Sequence, residues 1–148
     1  MSNGFPLRKA RWCCRIIKEC GGEGRVKILG MRAEESNGRK GYKCFMGNPG
    51  GGHWLLPIIN WTNADRWQYI YEREIKVNGL YKLGFNRTGC VLCPFQGKYD
   101  VQLSLKYFPK TVNLWKLAAD RYIQKRIERG TPMTHKTGEE YFNWWIKR

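Results

Sequence analysis

Long apolar runs are missing from this chain. No stretch approaches the roughly 20 apolar residues that cross a bilayer, and the opening MSNGFPLRKARW has no apolar signal-peptide core. The expectation is a cytoplasmic protein with no membrane partner. Internal repeats, low-complexity tails and long Lys/Arg blocks are also missing. Acidic residues are scarce: 12 Asp and Glu stand against 27 Lys and Arg, a formal charge of +15. Because this surplus is spread along the chain, it implies affinity for anions in general. Nucleic acid, nucleotides, sulfate or phosphate esters and an acidic partner subunit all qualify, as does a merely solvated basic surface.

Aromatic residues are plentiful. Seven Trp, eight Tyr and six Phe among 148 residues can supply much of the core of one modest domain. RKARWCCRIIKE, residues 8–19, predicts a short helix ending before Gly21-Gly22, and RVKILGM, 25–31, a buried strand. Residues 34–53 read as a glycine-rich loop. HWLLPII, 53–59, reads as an extended piece that Pro57 makes an edge or irregular strand. Thr62 and Asp65 have the spacing of a reciprocal helix cap, with Trp67, Ile70 and Tyr71 expected to face the core. Asp100 is placed to cap a short helix that stops before Pro109. Asn113 is placed to cap a helix over 113–129, with Leu114, Leu117, Ala118 and Ile127 mostly on one side and Gly130 as its stop. Thr137 and Glu140 make a last cap, ahead of the aromatic face of Tyr141, Trp144 and Trp145.

Six cysteines in a cytosolic chain point to metal ligation or redox chemistry more than to a disulfide framework. Cys13 and Cys14 are adjacent, a spacing that makes at best a strained disulfide. Adjacent thiolates cannot easily chelate one small tetrahedral ion, but they can ligate two iron corners of a cubane. Cys90 and Cys93 form a C-x-x-C between Gly89 and Pro94. Together, Cys13, Cys14, Cys90 and Cys93 suit a [4Fe-4S] cluster. The alternatives are one structural zinc, for which Cys-Cys is a poor knuckle, and thiols with no metal. Lys18, one helical turn beyond Cys14, either places its ammonium over such a cluster and raises its potential or is an ordinary surface lysine. Cys20 and Cys44 read as small buried residues, Cys44 alternatively as a reactive thiol.

With these residues identified, the chain resembles the carboxy-terminal, cluster-bearing half of the phosphoadenosine/adenosine phosphosulfate (PAPS/APS) reductase family, from about Arg11 to Pro94. Four ordered segments carry the resemblance: Cys-Cys followed by Lys18; GMRAEESNGR with Gly30, Arg32, Glu35, Ser36 and Arg39; PIINWTNADRWQYI from Pro57 to Ile70; and GFNRTGCVLC. The resemblance implies a partial adenine-nucleotide α-hydrolase-like α/β fold, α-rich with a small sheet of two or three strands. It implies one domain over 1–148, with 8–95 as the cluster region and 96–148 as a helical extension.

It also implies roles. Arg32, Arg39 and Arg87, with Glu35 and Ser36, become candidates for holding the anionic end of a sulfonucleotide, since a guanidinium suits bidentate sulfate or phosphate oxygens. The alternative for each arginine is a surface residue with a local carboxylate. The family's S-G-G-x-D-S nucleotide loop does not occur in this sequence, nor does a cysteine after Cys93 that would act as the sulfur nucleophile. The expected activity is therefore oxidoreductase or sulfur-transfer chemistry of the PAPS reductase type within sulfur metabolism. It would be carried out with a partner chain that supplies the nucleotide loop, and the catalytic nucleophile stays unassigned. The alternative is a basic domain, stabilised by iron-sulfur or zinc, that binds nucleic acid or a protein without turnover.

Overall fold

The computed structural model describes residues 4–22, 24–48 and 51–147. The chain divides into two compact units. One is Cys14–Val77, the sheet unit; the other joins Met1–Cys13 to Asn78–Arg148, the aromatic unit. The class is mixed α/β with a small three-stranded sheet, as the resemblance implies.

The sheet unit opens on a π-helix, Cys14–Glu19. Its strands are β1 (Val26–Ile28), β2 (Phe45–Gly47) and β3 (His53–Leu55), in the order β1-β3-β2. β1 runs parallel to β3, with Val26 opposite His53 and Ile28 opposite Leu55. β2 runs antiparallel to β3, with Phe45 opposite Leu55. This order corrects two expectations. HWLLPII supplies the central strand, and Pro57 spares the ladder because β3 ends at Leu55. The expected loop over 34–53 contains β2, whose FMG segment is too short to show a period of two. At Gly52, φ is +77° and a Cβ would stand 2.7 Å from the Arg25 carbonyl oxygen, so the close approach of the chain at β3 requires glycine.

α1 (Asn63–Glu72) follows, with the Thr62–Asp65 capping box formed in both directions. Leu56 and Ile59 are the buried apolar side chains described in this unit. The buried strand expected at 25–31 is a strand but not a buried one: Val26 and Ile28 are 59% and 71% exposed. Tyr71, expected in the core, is exposed as well.

The aromatic unit is built from α2 (Lys98–Tyr107), α3 (Pro109–Glu128) and α4 (Gly138–Ile146). Pro109 does not merely stop α2. It occupies the first turn of α3, where its fixed φ suits a helix and its missing N–H costs nothing. Asn113 is consequently interior to α3. Gly130, with φ +61°, ends the segment after α3, and Thr137 and Glu140 form the expected capping box of α4. Phe5, Leu92, Val112, Ala119, Ile123, Tyr141, Phe142 and Trp145 make one core cluster. Phe5 meets Trp115, Tyr141 and Trp145 edge-on at 5.0, 5.1 and 4.9 Å, a geometry that aligns ring edges with ring faces. The Trp145 indole N–H donates to the Pro6 carbonyl at 2.8 Å, so this large ring is buried without an orphaned donor. The side of α3 that carries Leu114 and Leu117 faces outward. Val112, Ala119 and Ile123 are the buried residues of that helix.

Candidate functional site

In the aromatic unit, Cys90 and Cys93 flank a tight turn. The Cys93 N–H donates to the Cys90 carbonyl at 3.1 Å, and the Gln96 N–H donates to the Cys93 carbonyl at 2.8 Å. Leu92 sits at φ +57°, a strained value for a branched side chain. The turn stays in this conformation because the Leu92 side chain is buried in the aromatic core. Arg8 Nε donates to the Pro94 carbonyl at 2.7 Å, and the Arg11 guanidinium lies 5.0 Å from the centre of the Phe95 ring. The preceding loop is held by Asp100, which is buried and accepts from the Asn86 backbone N–H at 3.0 Å. Ser104 donates to Gln96 Oε1 at 3.3 Å beneath the same turn.

Sequence reasoning assigned Asp100 to a helix cap. Gly97 occupies that position instead, and the carboxylate serves the cysteine loop. Asn86 lies too far upstream for any local pattern to reveal the pair. Gln96, Ser104 and Arg8 were missed for the same reason. Cys90 is exposed and Cys93 half-buried. Arg87 is exposed in the loop between Phe85 and Cys90.

The sheet unit carries Cys14 at the first residue of its π-helix, a rare conformation that recurs at functional positions. Cys13 closes the chain segment of the other unit. The Lys18 side chain lies outside the described residues. Cys20 and Cys44 are exposed, not buried as expected; Cys20 Sγ donates to the Ile16 carbonyl at 2.8 Å.

The second constellation also lies in the sheet unit. Arg32 is buried, with Nη1 donating to Glu34 Oε2 at 2.8 Å and Nε 3.6 Å from Glu35 Oε1. Arg39 pairs with the other oxygen of Glu35. Glu34 Oε2 accepts in addition from the Asn63 N–H at 2.5 Å, tying Arg32 to the start of α1. Ser36 accepts from the Arg39 N–H at 3.0 Å through its carbonyl and is itself exposed. Arg32, Glu35, Ser36 and Arg39 are thus brought together, with Glu34 added. Two guanidinium groups face two carboxylates, so the cluster is charge-balanced. An incoming anion has to exchange with Glu34 or Glu35. Arg39, one-third exposed, is the freer arm, whereas Arg32 is fixed in place.

Asp65 carries a pKa below its ordinary value. The Thr62 backbone N–H donates to its carboxylate, and the Thr62 side chain adds a second hydrogen bond.

Among the described residues, no three His, Cys, Asp or Glu side chains gather as they would around a metal ion. Cys90 and Cys93 share one turn, which backbone hydrogen bonds and the buried Leu92 hold in place. No helix among the described residues is long and apolar enough to cross a membrane.

Comparison with known proteins is consistent with this geometry. The profile of the phosphoadenosine phosphosulfate reductase domain matches residues 3–96. An uncharacterized protein of Methanocaldococcus jannaschii is 28% identical, covering 98% of this chain and 30% of its own length. An uncharacterized 37.8 kDa protein of Escherichia phage 186 is 28% identical over 73% of this chain and 37% of its own. An adenosine 5′-phosphosulfate reductase of Bacillus anthracis is 29% identical over 55% of this chain and 38% of its own. The chain therefore spans about a third of the length of these relatives. No solved structure matches it.

Proposed function

Because the chain belongs to the phosphoadenosine phosphosulfate reductase family, we propose that it is the cluster-bearing part of a sulfonucleotide reductase or sulfur-transfer enzyme. In this reading, Cys13, Cys14, Cys90 and Cys93 hold a [4Fe-4S] cluster, and a partner chain in the cytoplasm supplies the nucleotide-binding loop. The observation that carries the reading is the Cys90–Cys93 turn. It keeps a strained Leu92, a buried Asp100 and a Gln96–Ser104 hydrogen bond around two thiols, one exposed and one half-buried. Strain of this kind persists where the surroundings enforce it, and it concentrates at functional sites. A cluster held by these cysteines would supply one-electron chemistry.

This chain's own residues have separate tasks. Arg32, buried and doubly held, keeps Glu34 and Glu35 in register. Arg39 turns from Glu35 to the sulfate or phosphate oxygens of an adenine sulfonucleotide, a planar donor meeting two acceptors. Arg87, exposed in the cysteine loop, offers a further cation. Dependence on a partner is supported by the open sheet. β1 is a parallel edge strand, and parallel strands are ordinarily covered on both faces, yet Val26, Ile28 and Phe45 share an exposed face here.

The test is the metal content of anaerobically purified protein, with the Cys90→Ser and Cys93→Ser variants alongside. About four iron and four sulfide per chain, lost in both variants with the broad visible absorption, is the expected result. One zinc and no sulfide would replace this reading with that of a zinc-stapled basic binding module.

A further inference from the structure

α3 carries two apolar stripes. Val112, Ala119 and Ile123 face the aromatic core. Leu114 and Leu117 face away from it and are 66% and 54% exposed. Leu114, Leu117, Ala118, Arg121 and Lys125 recur at i, i+3, i+4, i+7 and i+11, so they share one helix face. With Tyr122 they line a groove of about 260 Å³. Its apolar half is leucine and alanine, and its other half ends in two cations. No ion pair engages Arg121 or Lys125 among the described residues.

We propose that this groove docks an amphipathic helix of a partner protein, whose apolar stripe covers Leu114 and Leu117 and whose carboxylates meet Arg121 and Lys125. Three occupants compete for the surface, and charge separates them. A second copy of a +15 chain would approach against its own surplus. A nucleic acid strand would satisfy Arg121 and Lys125 through its phosphates but leave both leucines facing water. An acidic amphipathic helix satisfies both halves at once, with apolar anchors at helical spacing and flanking charges that set its direction. From Leu114 to Lys125 the face runs about three helical turns, the length of a short recognition helix. The inference does not depend on the cluster. The groove lies wholly beyond residue 96, where the family match ends.

The test uses the full chain and a fluorescein-labelled synthetic helix of about three turns, with Leu at i, i+3 and i+7 and Glu on both flanks. Controls are the same peptide with Lys for every Glu, a scrambled peptide, and oligothymidylate. The variants are Leu114→Ser with Leu117→Ser, and Arg121→Glu with Lys125→Glu. All four positions avoid the buried face of α3, and circular dichroism with urea unfolding verifies that both variants fold. The expected result is saturable anisotropy with the Glu peptide alone, weakened roughly tenfold or more by either double variant. Equal affinity for the scrambled peptide, unchanged binding in the leucine variant, or no binding of the Glu peptide to folded protein would overturn the proposal. Oligothymidylate binding that needs Arg121 and Lys125 but not the leucines would assign the surface to nucleic acid. A dimer that the leucine variant dissolves would assign it to a second copy.

Discussion

The two units of this chain solve the same problem differently. In the aromatic unit, rings from the N-terminal segment, α3 and α4 close on one another: Phe5 alone contacts Trp115, Tyr141 and Trp145. In the sheet unit, Leu56 and Ile59 are the buried apolar residues described, and a three-stranded sheet presents Val26, Ile28 and Phe45 outward. A sheet of three short strands needs an apolar face against something to be stable by itself. The aromatic unit is stabilised by its own residues. The sheet unit relies instead on polar ties, with Glu34 linking the buried Arg32 to the start of α1.

The largest test of this difference removes a ring from one unit and an aliphatic chain from the other. Phe142 is 1% exposed, and Phe142→Ala is expected to lower stability by about 3–5 kcal/mol through lost transfer energy and an unfilled cavity. Ile28→Ser is expected to stay within about 0.5 kcal/mol in the isolated chain, because the residue already meets water. Urea unfolding followed by near-ultraviolet circular dichroism distinguishes them. Equal losses would mean that the sheet face is covered and that the comparison is mistaken. With a nucleotide-loop partner present, Ile28→Ser should weaken association while Phe142→Ala acts only through folding.

Two glycines sharpen the contrast at smaller cost. A Cβ on Gly138 would run into the Asp120 side chain and backbone, so α3 and α4 approach through that glycine. Gly138→Ala is expected to cost about 1–3 kcal/mol by overpacking. Gly52→Ala combines a positive φ with a Cβ 2.7 Å from the Arg25 carbonyl oxygen, and a strained backbone costs about 1–3 kcal/mol. The readouts differ. The first should loosen the tryptophan environment around Trp145, and the second should speed amide exchange in β1 and β3, which that approach joins.

What was legible beforehand follows the range of each interaction. Both capping boxes, Thr62 with Asp65 and Thr137 with Glu140, span three residues and could be read directly. The C-x-x-C and its turn were equally local. β3 as the central strand was not, because centrality depends on partners at Val26–Ile28 and Phe45–Gly47 that no window around His53 contains. The orientation of α3 was not legible for a different reason. Its sequence holds two apolar stripes, and the richer in leucine is the one facing solvent. Asp100 was recognised as important near a helix start, but its partner Asn86 lies across the cysteine loop. The arginine motif could be located, whereas its neutralisation by Glu34 and Glu35 emerged only from the folded turn.

The caps provide the finest comparison. Thr137→Ala is expected to cost about 1 kcal/mol, the usual value of a lost hydroxyl cap, measured by thermal unfolding of the aromatic unit. The matching cap in the sheet unit should add a dependence on pH. The Thr62 backbone N–H and side chain hold Asp65 below its ordinary pKa. A carboxyl whose folded pKa is depressed binds its proton more readily in the unfolded chain, so unfolding takes up protons in that window. Its contribution is therefore complete above the ordinary aspartate pKa of about 3.9 and is lost as pH falls through the lower folded value. Neutral pH lies outside the window, and α1 should show no pH dependence there from this source. Asp65→Asn removes the titrating group while keeping an acceptor for the Thr62 N–H. The variant should lose the acid-limb slope that the wild type shows in helix content below about pH 4. If both proteins lose α1 with the same slope, the capping carboxylate is not the group that acid disrupts. The Glu34 contact to Asn63, which ties the same helix start to Arg32, would then be the next tie to remove, by Glu34→Gln.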